Sequence, residues 1–436
     1  MKITFLGAGS TVFVKNVVGD LILTKDIGEF EVALFDIDMQ RLEDSFRMIE
    51  HLNNKYQGKA KARKYTDRKE SLRGADFIIN AIQVGGYEPC TLTDFEVPKR
   101  HGLKQTIGDT LGIGGIFRAL RTMPVLDGFA KDIEEVCPDA LFLNYVNPMA
   151  MLTGYMQRFT GVKTIGLCHS VQVCVPNLLD SIGMLSYNEG AKYEIAGINH
   201  QAWLLNIYDK DGNDLYPEIK RRSLSQEHQK GIEWDLVRHE LMHRFGYYVT
   251  ESSVHSAEYF PYFIKDKYPE LLDRYKINID EYPRRCRLQI KEWNELRDKI
   301  VEKGDVEHTK SIEYSANIIH SVCTNTPYEI NANVINNGLI TNLPSNACVE
   351  VPCLVNRAGI HPCQVGALPE QLAALNRTNV NVQLLTINAY RTRKKEDLYM
   401  AAYLDPHTSA ELSMDDIRAV CDDLIEAHGN WLPKFN

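Results

Sequence analysis

Lys2-Ile3-Thr4-Phe5-Leu6-Gly7-Ala8-Gly9-Ser10 opens the chain with a short apolar run that breaks on two glycines. Apolar residues then recur at helical spacing over residues 10–23, and Glu31-Val32-Ala33-Leu34-Phe35-Asp36 is a second run that ends in an acid. The order reads as strand, glycine turn, helix, strand, acid. Gly7 and Gly9, lacking Cβ, let the backbone approach a pyrophosphate, and the start of the helix offers N–H donors and the positive end of its dipole. Ser10 is placed to cap that helix or to donate to phosphate. Asp36 stands 27 residues after Gly9, where an acid takes a ribose hydroxyl pair and repels a 2′-phosphate, so the nucleotide expected is NAD rather than NADP. The third glycine of the full fingerprint would fall at Val12, which keeps a plain glycine turn as the alternative on these residues alone.

Further apolar runs at residues 76–82, 140–145 and 164–167 do not alternate with polar positions, the pattern of strands buried on both faces, and each is separated by enough chain for a helix. The fold class expected is α/β: a Rossmann-like, doubly wound parallel sheet with the outline of a lactate or malate dehydrogenase. After about residue 190 the pattern changes to mixed α+β. Residues 193–197 and 203–208 read as strands, 209–213 as a hairpin turn, and 233–245, 281–302 and 369–403 as helices. Strand-like pieces at 328–335 and 348–354 flank an Asn336-Asn337-Gly338 turn. Two domains are expected, residues 1–190 for the dinucleotide and 191–436 for substrate, metal and oligomer contacts.

At 436 residues and 44% apolar, the chain is long enough to bury a large core. Its net charge of −9 argues against tracking nucleic-acid phosphates or an anionic membrane surface. No run reaches the roughly 18 apolar residues of a membrane span, and residues 1–6 lack a signal-peptide pattern. Ten cysteines scattered along the chain read as reduced thiols, so a cytoplasmic location is expected.

Cys168, in Cys168-His169-Ser170, follows the run at 164–167, and His200, in Gly197-Ile198-Asn199-His200, follows another strand. Strand C-termini are where an open α/β sheet gathers ligands, so the two are expected to reach one crevice. Thiolate plus imidazole suits Mn²⁺, Co²⁺, Ni²⁺, Fe²⁺ or Zn²⁺ and leaves coordination positions for substrate oxygens. A Cys and a His at this spacing also serve as ordinary core residues. Asn147-Pro148 is either a plain turn or an amide facing a ligand, and the glycine-rich 108–115 stretch is either a hinge or a loop holding Asp109 over one. Residues 250–262 are dense in titratable and hydroxyl groups.

At these positions the whole chain resembles glycoside hydrolase family 4, most closely its α-galactosidase branch. The resemblance runs through Gly7-Ala8-Gly9-Ser10-Thr11, Gly85-Gly86-Tyr87-Glu88-Pro89-Cys90, Asn144-Tyr145-Val146-Asn147-Pro148-Met149-Ala150, Cys168-His169-Ser170-Val171, Gly197-Ile198-Asn199-His200 and Gly429-Asn430-Trp431-Leu432-Pro433. Cys-His-Ser-Val resembles the α-galactosidase form, whereas the phospho-glycosidases carry Asp or Asn after the cysteine. The resemblance implies Cys168 and His200 as metal ligands, Asn147 and His169 as substrate-binding residues, and Tyr259, His169 and Asp109 as proton-handling groups. It implies NAD and Mn²⁺ or another divalent metal as cofactors, an α-galactoside such as melibiose as substrate, and a homodimer or homotetramer. The implied route is unlike the two-carboxylate glycosidases: oxidation at C3, loss of the C2 proton, elimination of the aglycone. A same-family α-glucosidase or α-galacturonidase/glucuronidase is the nearer alternative. An NAD-dependent 2-hydroxy-acid dehydrogenase, which needs no metal, is the farther one.

Overall fold

In the computed structural model, which describes residues 1–436, the opening strand sends its side chains two ways. Strand β1 (Lys2–Leu6) puts Ile3 and Phe5 into one apolar core and Leu6 into another. β4 (Phe77–Asn80) divides in the same way, with Phe77 and Ile79 against Ile78, and β5 (Leu141–Asn144) separates Phe142 from Leu143. Helices cover both faces, so both alternate sets must be apolar, which is why these strands read as continuous runs. Helix Thr11–Leu23 seals one face with Val14, Val17, Val18 and Leu21, and helix Gly112–Val136 the other with Ile113, Ile116, Leu120 and Met123.

With β2 (Phe30–Phe35), β3 (Ala60–Tyr65) and β6 (Lys163–Gly166), these strands form a parallel sheet in the order 3-2-1-4-5-6, the doubly wound arrangement expected. β3 was not foreseen, because Ala60-Lys61-Ala62-Arg63-Lys64-Tyr65 carries the cations of an exposed edge rather than a buried run.

The sheet continues past β6 with β7 (Lys192–Ile198), β8 (Gln201–Tyr208), β9 (Tyr248–Val249), β10 (Tyr328–Ile335), β11 (Cys348–Asn356) and β12 (Gly359–Pro362). Beyond β6 the order is β10-β11-β7-β8-β9, all antiparallel, and β12 pairs with β11. The expected strand pair at 328–335 and 348–354 is β10 with β11. Its connection folds on Asn336, whose Nδ2 donates to the Ile340, Leu343 and Pro344 carbonyls.

Two expectations need correction. The turn at 209–213 is present, closed by one antiparallel bridge between Tyr208 and Asp214, but no strand extends it, because the chain enters helix Tyr216–Ser223. The stretch at 369–403 is two helices, Glu370–Thr392 and Lys395–Tyr403, broken at Arg393 with φ 61°.

At the join, Gly166, Asn333, Glu350 and Gly197 lie side by side in one cross-strand row. Glu350 is fully buried; its Oε1 accepts from Asn333 Nδ2 at 3.1 Å and its Oε2 has no partner. Burial pushes its carboxyl up to about 7, although the charge of His200 pulls the other way. The folded chain thus favours the neutral acid. The associated stability is fully present below the ordinary value of 4.5 and is lost as pH rises through about 7. Glu350→Gln, compared with wild type in metal-free urea titrations, should gain relative stability of up to about 3 kcal/mol between pH 5 and pH 8. Parallel pH profiles for the two proteins would contradict this.

Candidate active site

The C-terminal ends of the parallel strands open onto a cleft of about 430 Å³. At the end beside β1 Gly7 has φ +86°, and a Cβ there would lie 2.7 Å from the Ala81 carbonyl carbon, so the turn closes on β4 only without a side chain. The Gly9 N–H donates to Asp36 Oδ2 at 2.6 Å, and a Cβ on Gly9 would come within 2.8 Å of that oxygen. The Asp38 N–H donates to Asp36 Oδ1 at 2.8 Å, so the acid is fixed at the end of β2. Ser10 makes no side-chain cap, and it lines the cleft. Val12, where the fingerprint has its third glycine, is 48% exposed, so no neighbouring strand requires a small residue there.

Cys168 lies just beyond β6 and His200 in the turn between β7 and β8, and both line the cleft as expected. A third donor was not foreseen. Glu251 follows β9, and ligand atoms of Cys168, His200 and Glu251 all lie within 4.8 Å of one another. His200 Nε2 is 3.7 Å from Glu251 Oε2. Burial opposes charge on His200, but Cys168 and Glu251 outweigh it and raise the imidazole to about 10. Burial likewise opposes charge on Glu251, yet His255 and His200 hold its carboxyl down at about 2. The pocket is built to favour positive charge between a thiol and a carboxylate. Soft sulfur, imidazole nitrogen and carboxylate oxygen fit a borderline divalent ion.

Asp109 and Asn147 meet in the cleft, Asn147 Nδ2 donating to Asp109 Oδ2 at 3.2 Å. Asp109 Oδ1 accepts from Thr110 Oγ1 at 2.8 Å, and Arg118 Nε donates to the Asn147 carbonyl at 3.2 Å. Arg118 and Tyr282 also line the wall, the guanidinium carbon 5.7 Å from the ring centroid. His169 also lines the cleft, with Nε2 2.7 Å from Glu313 Oε2.

Tyr259 is placed differently from the rest. It is 1% exposed and does not line the cleft; its hydroxyl lies 3.1 Å from His200 Nδ1, behind the ring. Burial, and then the charge of Asp109, hold its phenol well above the ordinary value. Glu251, His255, Arg118, Tyr282 and Glu313 escaped sequence reading because nothing in their spacing ties them to Cys168 or His200. The titratable density of 250–262 was the one available signal, and it contains Glu251 and His255.

Comparison with known proteins agrees along the whole chain. Residues 2–184 match the model for family 4 glycosyl hydrolases, and residues 195–408 match the model for the C-terminal domain of that family. An alpha-galactosidase of Bacillus subtilis (strain 168) is 60% identical over 434 residues, covering 100% of this chain and 99% of that one. An alpha-galactosidase of Rhizobium meliloti (strain 1021) is 32% identical over 100% of this chain and 89% of its own. A 6-phospho-alpha-glucosidase from gut microorganisms, solved with NAD and Mn²⁺, superposes with a TM-score of 0.81 at 21% identity, covering 100% and 99% of the two chains.

Cys168→Ser, His200→Ala and Glu251→Gln should each weaken divalent-ion binding, measured calorimetrically with Mn²⁺, by at least about the 10–100-fold that loss of an outer partner costs. Wild-type affinity in Glu251→Gln would remove it from the set.

Proposed function

The chain belongs to family 4 of the glycosyl hydrolases, and on that premise we propose that it is an α-galactosidase that works with NAD and a divalent ion in one cleft. One observation carries the reading: Ser10, at the end of the glycine turn, and the Cys168–His200–Glu251 set line the same cleft. The α-galactosidase relatives support the substrate class.

In this reading Gly7, Gly9, Ser10 and Asp36 hold the dinucleotide, and Cys168, His200 and Glu251 hold the ion. When bound, the dinucleotide would supply a hydride acceptor and donor for the sugar, and the ion positive charge to stabilise negative charge developing on the sugar oxygens. Asn147 fixes a sugar hydroxyl through its amide and holds Asp109 in place. His169 reads a hydroxyl from the cleft wall.

We assign removal of the C2 proton to Asp109. It is the carboxylate lining the cleft outside the metal set, and its charge reaches His200. Tyr259 is assigned instead to holding His200: its hydroxyl, 3.1 Å from Nδ1, would accept from an Nδ1–H and fix the ring for a ligand role at the other nitrogen. Arg118, over the Tyr282 ring and within the field of Asp109, balances the charge of that carboxylate.

A nitrophenyl panel of α-galactoside, α-glucoside and α-galacturonide should show the galactoside turned over fastest, with activity lost on chelation and on removal of NAD⁺. Full turnover after both treatments would sink the reading. Asp109→Asn should slow exchange of solvent deuterium into C2 by about the 10²–10⁴-fold of a lost general base. Tyr259→Phe should instead weaken Mn²⁺ binding and slow exchange much less. The reverse pattern would return the base to Tyr259.

A further inference from the structure

We propose that Glu313 is a positioning residue of the sugar site, holding His169 in the tautomer that offers Nδ1 to a hydroxyl of the substrate. The inference rests on the α-galactoside reading of the cleft.

Glu313 occupies the position before helix Tyr314–Thr324 but makes no side-chain cap to it. Glutamate is a poor choice for an N-cap, and this one is turned away from the N–H groups it would serve. Its side chain is only 7% exposed, a costly place for a carboxylate without a partner, and the partner is His169 Nε2 at 2.7 Å. A carboxylate only accepts, so Nε2 is the ring nitrogen that carries the proton of the contact. In the neutral ring Nδ1 is then a bare acceptor, and it has no hydrogen bond within the chain. The ring lies on the cleft wall, where a sugar hydroxyl can donate to it.

The segment that delivers Glu313 is itself clamped. Asp20, on helix Thr11–Leu23, is 1% exposed, and its Oδ1 meets His308 Nε2 and the Ser311 N–H, both at 2.8 Å. Its Oδ2 accepts from Ser311 Oγ at 2.5 Å, and Ser311 Oγ accepts in turn from the Glu313 N–H at 3.1 Å. Past Glu313, the Ser315 N–H donates to the Tyr145 hydroxyl at 3.1 Å, and the Tyr145 ring lies 6.1 Å from that of His169. The helix that closes the dinucleotide turn therefore also sets where Glu313, and through it His169, can stand. A capping or solubilising role for Glu313 would require none of these contacts.

The test combines Glu313→Gln with a tautomer readout in the full-length chain. Glutamine keeps the shape, but it can turn either its oxygen or its nitrogen to the ring and so no longer selects the Nε2–H form. With nitrophenyl α-galactoside we expect kcat/KM to fall about 10–100-fold, carried by a higher KM, while NAD⁺ and Mn²⁺ affinities stay within about twofold. A merely structural role would lower kcat through less active protein and leave KM unchanged. In ¹⁵N-histidine-labelled protein the His169 ring, identified by its loss in His169→Ala, should show the Nε2–H tautomer in wild type and a mixture in Glu313→Gln. The tautomer is read without substrate, so it stands or falls apart from the α-galactoside reading, and the wild-type spectrum alone is decisive if the variant does not fold. An Nδ1–H tautomer in wild type, or unchanged KM and tautomer in folded Glu313→Gln, would overturn the proposal.

Discussion

The cross-strand row Gly166–Asn333–Glu350–Gly197 is the constraint on which the site depends. Neighbouring strands sit about 4.8 Å apart, which puts the two glycines on the order of 14 Å from each other. Cys168 lies two residues beyond one and His200 three beyond the other, yet their ligand atoms come within 4.8 Å. The two chain segments must therefore lean toward each other over the middle of the row. That geometry exists only because β10 and β11 are inserted between β6 and β7, joining the parallel sheet to its antiparallel extension. The buried Glu350 in the row is close enough for the charge of His200 to act on it.

A second element gathers what the row does not. Helix Ser253–Tyr259 and the residues leading into it place four groups in sequence around the cleft. Glu251 joins Cys168 and His200, and His255 Nδ1 meets Ser252 Oγ at 2.7 Å and Glu251 Oε1 at 3.4 Å. Glu258 accepts from the Thr106 and Gly108 N–H groups at 2.8 and 2.7 Å, tying down the loop that carries Asp109. The next residue, Tyr259, backs His200. One short helix thus fixes both the carboxylate and the imidazole of the site, which gives the titratable density of this segment its physical cause.

This division explains what was legible in the sequence. The parallel sheet could be read because burial on both faces imposes continuous apolar runs, and the glycine turn because backbone closure on Ala81 and Asp36 excludes side chains. Cys168 and His200 could be placed in one crevice because strand ends share an edge. Glu251 and Glu313 could not, since one reaches the cleft and the other reaches His169 from distant segments without periodicity. Tyr259 illustrates a different limit: residue type and motif point to a chemical role at the sugar, and nothing in the sequence signals that its hydroxyl lies 3.1 Å from His200 Nδ1. The edge strand β3 was hidden by the charges that keep an edge soluble.

Charge balance connects these pieces. A cysteine that binds metal does so as thiolate, so with an ion in place Cys168 and Glu251 would bring two negative charges to a half-buried site, where unpaired charge is expensive. A divalent ion would cancel both. The remaining lining carboxylate, Asp109, lies within the field of the buried Arg118 guanidinium, which is held still more firmly in its charged form despite burial, through Tyr282 and Asp109. Behind the cleft wall, the buried Glu313 carboxylate has its partner in His169 Nε2 at 2.7 Å. A neutral sugar entering the cleft meets polar groups whose charges are already matched. The attraction of the cleft is then directed at individual hydroxyls, a physical basis for selecting among hexoses that differ only in the direction of one of them.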